Sequence, residues 1–125
     1  MEPVSLFDLA AQQARWLSVR QSAVAGNIAN VNTPDYKAVD AKPFEHVLES
    51  SRLAIAPTHP DHIPIGTTPG AVDVREDADA VVSESGNSVS LEQEMVKAGE
   101  VRRAFEMNTA IVKAFHRMML MTTRT

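Results

Sequence analysis

Three histidines in the middle of the chain are the side chains best suited to metal chemistry. His59 and His62 are three positions apart with Asp61 between them, and His46 lies upstream. A zinc site needs three or four ligands that converge from rigid elements. Because these histidines fall in or near a proline-rich stretch without a second ligand cluster, we expect solvated histidines and no metal site. A metal-dependent hydrolase that uses all three histidines is kept as an alternative hypothesis.

The acidic residues that follow do not match a calcium-binding or catalytic pattern either. Asp73, Asp77 and Asp79 lack the spacing of an EF-hand, and no glycine lies where its loop must turn. The sequence also lacks a glycine-rich phosphate loop, a nucleophile elbow and an HExxH helix. It contains no cysteine, which excludes thiolate and disulfide chemistry. We therefore predict no catalytic residue, no cofactor and no metal, and a protein that is not an enzyme.

Composition narrows the class of protein further. The chain has 125 residues, which suits one module over residues 1–125, and its formal net charge is −4. An acidic chain has no basic surface to displace counterions from a nucleic acid, so nucleic-acid binding is not expected. No run approaches the roughly 18 apolar residues of a membrane-spanning helix. Because Asp8 interrupts the only apolar stretch near the start, we expect no cleaved secretory signal.

The positions of proline divide the chain into helix, irregular middle and helix. Six of the seven prolines lie between positions 34 and 69, and proline disrupts a helix interior. We predict a mainly α fold with an N-terminal helix over 5–32, a loop-rich insert over 33–89 and a C-terminal helix over 90–121. The two long helices are expected to pack as a coiled-coil-like pair. Within the insert, the apolar spacing allows a short helix over 42–51 and a weak hairpin over 71–83.

Both long helices carry a capping signal and an apolar seam. Ser5 is the expected cap of the first helix, and Ser90 with Gln93 has the form of a capping box. Gln21 and Asn108 interrupt the seams, and a polar seam residue can fix the register between helices. The first seam is Phe7, Ala10, Ala14, Leu17, Val24, Ile28 and Val31, and the second is Leu91, Met95, Ala98, Val101, Phe105, Val112, Phe115 and Met119.

Two further apolar features have structural interpretations. Trp16 is expected to contact another helix rather than a ligand. The last part of the chain is rich in methionine, which suits helix packing or contacts between subunits. These methionines are Met107, Met118, Met119 and Met121.

The most informative run of residues lies where the first predicted helix ends. Asn30 and Asn32 tolerate the left-handed conformation that closes many helices. Thr33 precedes Pro34, which pushes it out of the helical region and favours a turn. Tyr36 combines an apolar ring with a polar tip, as interface anchors do. Residue chemistry alone leaves two interpretations, a simple helix stop or a recognition motif. The run is Asn27, Ile28, Ala29, Asn30, Val31, Asn32, Thr33, Pro34, Asp35, Tyr36 and Lys37.

This run resembles the N-terminal signature of the flagellar rod, hook and filament-axis protein family. That signature is approximately Asn-Ile-Ala-Asn-x-x-Thr-Pro-Gly-Tyr-Lys, and ten of the eleven positions here are consistent with it. The departure is Asp35, where the family has glycine. Glycine allows a type II turn, whereas aspartate fits a type I turn better.

A second run resembles the start of the C-terminal helix in the proximal rod members of this family. Their pattern is Gly-Asn-x-Val-Asp-Leu-x-x-Glu-Met, and Ser90 here replaces the aspartate while keeping an oxygen for capping. Residues 59–63 are also similar to the middle of those proteins. The matching positions in the second run are Gly86, Asn87, Val89, Leu91, Glu94 and Met95.

The resemblance implies a structural subunit of the proximal rod of the flagellar basal body, which links the MS-ring and export gate to the drive shaft for motility. Such proteins are exported by the flagellar type III apparatus into the periplasm without a cleaved signal peptide. The implied partners are copies of itself, other proximal rod proteins, the rod–MS-ring adapter protein, the MS-ring and the export gate. An alternative from another class is a cytoplasmic helical adaptor or secretion chaperone that binds an amphipathic partner helix.

Overall fold

In the computed structural model, which describes residues 5–52 and 71–124, two long helices flank a small middle region. The middle holds a short helix and two short strands that pair with each other. The elements in chain order are α1 (Leu6–Ala29), β1 (Val39–Ala41), α2 (Phe44–Arg52), β2 (Val74–Glu76) and α3 (Leu91–Thr123). The predicted mainly helical architecture is confirmed. Relative to the prediction, α1 ends three residues earlier and α3 ends two residues later.

The two long helices pack antiparallel. Near the start of α1 the ring of Phe7 meets the ring of Phe115 edge to face, with 5.3 Å between centroids. Near the end of α1 the amide of Asn27 donates a hydrogen bond to Glu94 in the first turn of α3. The pair therefore runs along the whole of α1, and α3, with 33 residues against 24, extends beyond it.

A seven-residue repeat marks the buried face of each long helix. This spacing is typical of helices that pack as a coiled coil, because it returns a side chain to the same seam every two turns. Burying a side chain such as Leu17, which is 1% exposed, contributes roughly 1.5–3 kcal/mol. The repeats are Ala10, Leu17 and Val24 on α1, and Glu94, Val101 and Asn108 on α3.

Polar residues behave differently on the two seams. Asn108 is buried and donates a hydrogen bond from Nδ2 to the carbonyl of Ala10, at 3.1 Å, so it links the helices as a polar seam residue. Gln21, in contrast, is exposed and does not lie in the seam. The predicted seam is confirmed at Ala10, Leu17 and Val24, which are all buried. The packed face departs from it by one position at two places, where Arg20 rather than Gln21 and Asn27 rather than Ile28 is the more buried residue.

Ser5 and Ser90 occupy the N-cap positions as predicted, but the predicted side-chain capping bonds are absent. Neither Ser5 nor Ser90 makes a side-chain hydrogen bond to the first turn of its helix. Their carbonyls instead accept the first helical bonds, from the amides of Leu9 and Glu94, both at 3.0 Å. The start of the second predicted seam also differs, since Leu91 and Met95 are exposed and Glu94 takes the buried position between them.

The small sheet joins two segments that are far apart in the sequence. β1 and β2 pair antiparallel, with Val39 opposite Glu76, Asp40 opposite Arg75 and Ala41 opposite Val74. The expected local hairpin over 71–83 is therefore wrong, because the partner strand comes from residues 39–41. The expected short helix is present as α2, and its Val47 is buried.

Trp16 attaches the middle region to α1. Its indole Nε1 donates a hydrogen bond to the carbonyl of Lys42 at 2.6 Å, and its ring lies 5.9 Å from that of Phe44. Its helix contact is thus made with the start of α2. These contacts pack the start of α2 against α1.

Candidate functional site

The two sequence motifs, residues 27–37 and 86–95, meet in one place that we call the junction. Asn87 is its best-connected side chain on the second motif. Its Nδ2 donates hydrogen bonds to the carbonyls of Asn30 and Thr33, at 2.9 and 2.6 Å, and its Oδ1 accepts one from the amide of Val89. A helix leaves its last carbonyls without partners, so Asn87 satisfies part of the end of α1 from a distant position in the chain.

Backbone hydrogen bonds join the same two motifs. The amide of Asp35 donates to the carbonyl of Ser85, and the amide of Ser88 donates to the carbonyl of Tyr36, both at 3.0 Å. The hydroxyl of Ser88 accepts a bond from the amide of Ala38, at 2.8 Å. Lys37 adds a bond from Nζ to the carbonyl of Gly86. These bonds hold the end of the first motif alongside the start of the second.

Asp35 lies in the left-handed region of backbone conformation, which glycine adopts most readily. Its φ is 60°, and the amide of Tyr36 donates to the carbonyl of Thr33 across the turn. A type I turn needs a φ of about −90° at this position, so this turn is not the type I that suits aspartate better. Aspartate reaches positive φ more readily than most residues, and the bond to Ser85 holds it there.

Gly86 faces Asp35 across the junction. Its φ is 79°, which favours glycine, and a Cβ at this position would collide with the Asp35 carboxylate. Residues 35 and 86 are therefore coupled, because the Asp35 carboxylate occupies the space that a Cβ at position 86 would need.

Asn27 is the centre of the junction on α1. It is fully buried, and its amide pairs with both backbone groups of Val39: Nδ2 donates to the carbonyl at 2.8 Å and Oδ1 accepts from the amide at 3.0 Å. The same Nδ2 also donates to Glu94 at 3.1 Å. One side chain thus fixes β1 and α3 to α1, using both of its donors and its acceptor.

A charge network continues from Glu94 along α3. Lys97 Nζ lies 2.8 Å from Asp77, 3.4 Å from Asp40 and 3.4 Å from Glu94. The hydrogen bond from Lys97 lowers the pKa of Asp77. Burial alone would lower the pKa of Lys97, but the hydrogen bond to Asp77 and the neighbouring carboxylates raise it. The network therefore favours the charged form of both partners.

Arg20 extends the network across α1. Its guanidinium lies 3.1 Å from Asp40 and 3.3 Å from Glu100, and it covers the ring of Trp16. Sequence reasoning missed Arg20, Asp40, Asp77 and Lys97 as junction residues. One signal in the sequence could have indicated the network: Lys97 lies three positions after Glu94, and opposite charges at this spacing are neighbours on a helix.

The remaining motif residues surround this centre. Tyr36 is half-buried, and its hydroxyl lies close to Gly26, where an added Cβ would be 3.8 Å from it. Ile28 and Val89 are also half-buried. The exposed members are Ala29, Asn32, Thr33, Pro34, Lys37, Leu91 and Met95.

The candidate metal ligands do not come together in the described part of the chain. Across residues 5–52 and 71–124, no three His, Cys, Asp or Glu side chains are grouped so as to hold a metal ion. His46 is exposed and lies 3.7 Å from Glu49, while His59 and His62 fall outside the described residues. An open groove on α3 has only Glu106 and Lys113 as ionisable lining residues. None of the described helices has the length and apolar character needed to cross a membrane.

Curated relatives of this chain share one description. The flagellar basal body rod protein FlgB of Agrobacterium fabrum is 47% identical over 129 aligned positions, which cover 99% of this chain and 96% of the relative. The protein of the same name from Bacillus subtilis is 31% identical over 84 positions, which cover 66% of this chain and 64% of the relative. No family model matches the chain.

Proposed function

This chain belongs to the FlgB family of flagellar basal body rod proteins, and from that membership we propose that it connects the MS-ring and the export gate to the drive shaft. Its role is that of a structural subunit of the rod, assembled with other rod components. The observation that carries the proposal is the identity to a FlgB protein over nearly the whole chain.

The junction supplies a physical basis for this role. We propose that residues 1–125 act as one rod-subunit module, in which the helices over 5–32 and 90–121 form the packing unit. The insert over 33–89 would then make lateral or axial contacts. In support, the junction fixes β1 and the segment that follows β2 to both helices through Asn27, Asn87 and Lys97. The motif residues are proposed to serve assembly, either inside the junction or on its surface: Asn27, Ile28, Ala29, Asn30, Asn32, Thr33, Pro34, Tyr36, Lys37, Gly86, Asn87, Val89, Leu91, Glu94 and Met95.

The proposal of specific partners and of a compartment rests on the family membership alone. We propose contacts with further copies, with the other proximal rod proteins, with the rod–MS-ring adapter protein, and with the MS-ring and export gate. Export by the flagellar type III apparatus would place the protein in the periplasmic part of the rod. We also propose that the work of this protein is mechanical and that it catalyses no reaction.

Fractionation of the native bacterium tests the proposal. The tagged chain is expected in detergent-resistant basal bodies, and deletion of its gene is expected to abolish motility. The mass of the rod-associated chain tests the expectation that no signal peptide is removed. Recovery of the chain only in the cytoplasm, bound to an exported helix, would contradict the proposal and support the adaptor or chaperone alternative.

A further inference from the structure

The C-terminal end of α3 is basic and apolar, and its charges have no partners within the described chain. From position 107 to the end there is no Asp or Glu, while Lys113, Arg117 and Arg124 are exposed. With Leu120 they repeat at intervals of four, three and four residues, so they share one face of the helix. None of these three cations forms an ion pair with another described residue. We call residues 113–124 the basic end.

Large apolar side chains accompany these charges. Met118, Leu120 and Met121 are between 53% and 63% exposed. Phe115 meets Phe7 at the start of α1, so residues 116–123 extend beyond the described part of that helix. An exposed apolar patch with a charged rim is typical of a protein interaction surface.

The opposite end of the molecule has the reverse charge. Asp79, Glu84 and Glu92 are exposed, and their carboxylates form no ion pair with the rest of the described chain. Exposed apolar side chains lie among them, in the loop before α3 and in its first turns: Val81, Val82, Leu91 and Met95. We call residues 79–95 the acidic end.

These two ends cannot meet within one molecule. They lie near opposite ends of α3, which spans about 50 Å at 1.5 Å per residue. We propose that the basic end of one copy docks on the acidic end of a second copy, so that the chain associates head to tail. Exposed methionines of one copy would then pack against the Val81, Leu91 and Met95 region of the next.

Two features favour a second copy as the occupant. The two ends carry opposite charges, and each also exposes apolar side chains, so one end of the chain complements the other. The contact is heterologous, because two different surfaces meet, and such contacts form open arrays unless the rotation closes. The inference deepens the proposed function and rests on it for its place in a rod.

Complementary charge reversal tests the contact with purified full-length protein. One variant carries Lys113→Glu and Arg117→Glu, and the other carries Glu84→Lys and Glu92→Lys. Sedimentation velocity at low salt is expected to show association of the wild type and at least about tenfold weaker association of either variant alone. A mixture of the two variants should associate again, because each end then faces an opposite charge.

The controls separate charge placement from folding. Arg103→Glu changes an exposed charge midway along α3 and is expected to leave association unchanged, and circular dichroism checks the helicity of each variant. High salt should weaken the wild-type contact, since the distance over which charges attract (the Debye length) falls to about 3 Å at 1 M. A wild type that stays monomeric at low salt, or a mixture that fails to recover, would overturn the proposal.

Cysteine crosslinking tests the same contact in assembled rods. Because the chain has no native cysteine, Glu84→Cys with Arg117→Cys should give a ladder of disulfide-linked copies in isolated basal bodies. Glu84→Cys with Arg103→Cys should give no ladder. If the double variant enters basal bodies without crosslinking to itself, the head-to-tail contact is wrong while the rod function stands. Crosslinks to another rod protein would likewise identify a different occupant and refute the second copy.

Discussion

The two ends of α3 belong to one continuous helix but meet the rest of the chain differently. At its start, Glu94 and Lys97 are bound to Asn27, Asp40 and Asp77 on three other segments. At its other end, the side chains beyond Phe115 are exposed and have no such partners in the described part of the chain. The first end depends on contacts within one molecule, and the second is available for contacts between molecules. Mutations at the two ends should therefore separate stability from assembly.

The largest loss of stability is expected from Asn27→Leu. This change leaves the amide and carbonyl of Val39 and the carboxylate of Glu94 without their buried partner, and the free energy of unfolding should fall by about 3 kcal/mol or more. Urea unfolding followed by circular dichroism measures the change. The matched control is Asn32→Leu, an exposed asparagine of the same motif, which should shift stability by less than about 0.5 kcal/mol. Equal effects of the two changes would show that the junction is not centred on Asn27.

A smaller loss is expected from Gly86→Ala. The new Cβ meets the Asp35 carboxylate, and the alanine must adopt a positive φ. Together these two effects should lower the free energy of unfolding by about 2 kcal/mol. Adding Asp35→Gly should recover part of the loss, because it removes the collision but not the strained φ. The control is Gly99→Ala in the interior of α3, where nothing lies within 4 Å of an added Cβ. That change should stabilise the helix by roughly 0.5–1 kcal/mol. Additive effects of the changes at 35 and 86 would contradict the coupling.

Acid should lower the free energy of unfolding by a modest amount, because it removes the charge of Asp77 beside Lys97 near the start of α3. The pKa of Asp77 is lowered by its hydrogen bond from Lys97, so the unfolded state binds a proton at higher pH than the folded state. Stability from this pair is present above the ordinary aspartate range of about 4, and is lost as pH falls through the lowered pKa. Asp77→Asn should flatten the acid limb of a plot of unfolding free energy against pH. An unchanged acid limb would mean that the pair does not contribute to stability.

The smallest effect on stability is expected at the basic end. Arg117→Glu and Met118→Ser change exposed side chains, so each should alter the free energy of unfolding by less than about 0.5 kcal/mol. Motility should nevertheless be lost or strongly reduced if this end contacts a neighbour. Hydrogen exchange should also show faster exchange for residues 116–123 than for residues 94–108, which pack on α1. Strong protection of both segments in the monomer would remove the contrast between the two ends.

Several details of the junction lay beyond what the sequence could predict. The sequence pattern singled out Asn87 and Glu94, but it did not indicate their partners Asn30 and Asn27, which are more than fifty positions away in the chain. Ser90 looked like a cap, yet its side chain makes no capping bond. Asp35 looked unsuited to a left-handed turn, but the bond from its amide to Ser85 stabilises that conformation. Local preferences are weak enough for such distant contacts to override them.

The sequence alone determined the two long helices, the position of the insert and the family. These depend on local properties, since proline placement, apolar spacing and two short motifs are read along the chain. Only the tertiary structure decided that β1 pairs with β2, that Asn27 rather than Gln21 faces inward, and that Lys97 collects three carboxylates. The reason is physical: once α1 and α3 pack, every buried polar group needs a partner, and the groups that remain close enough are set by that packing.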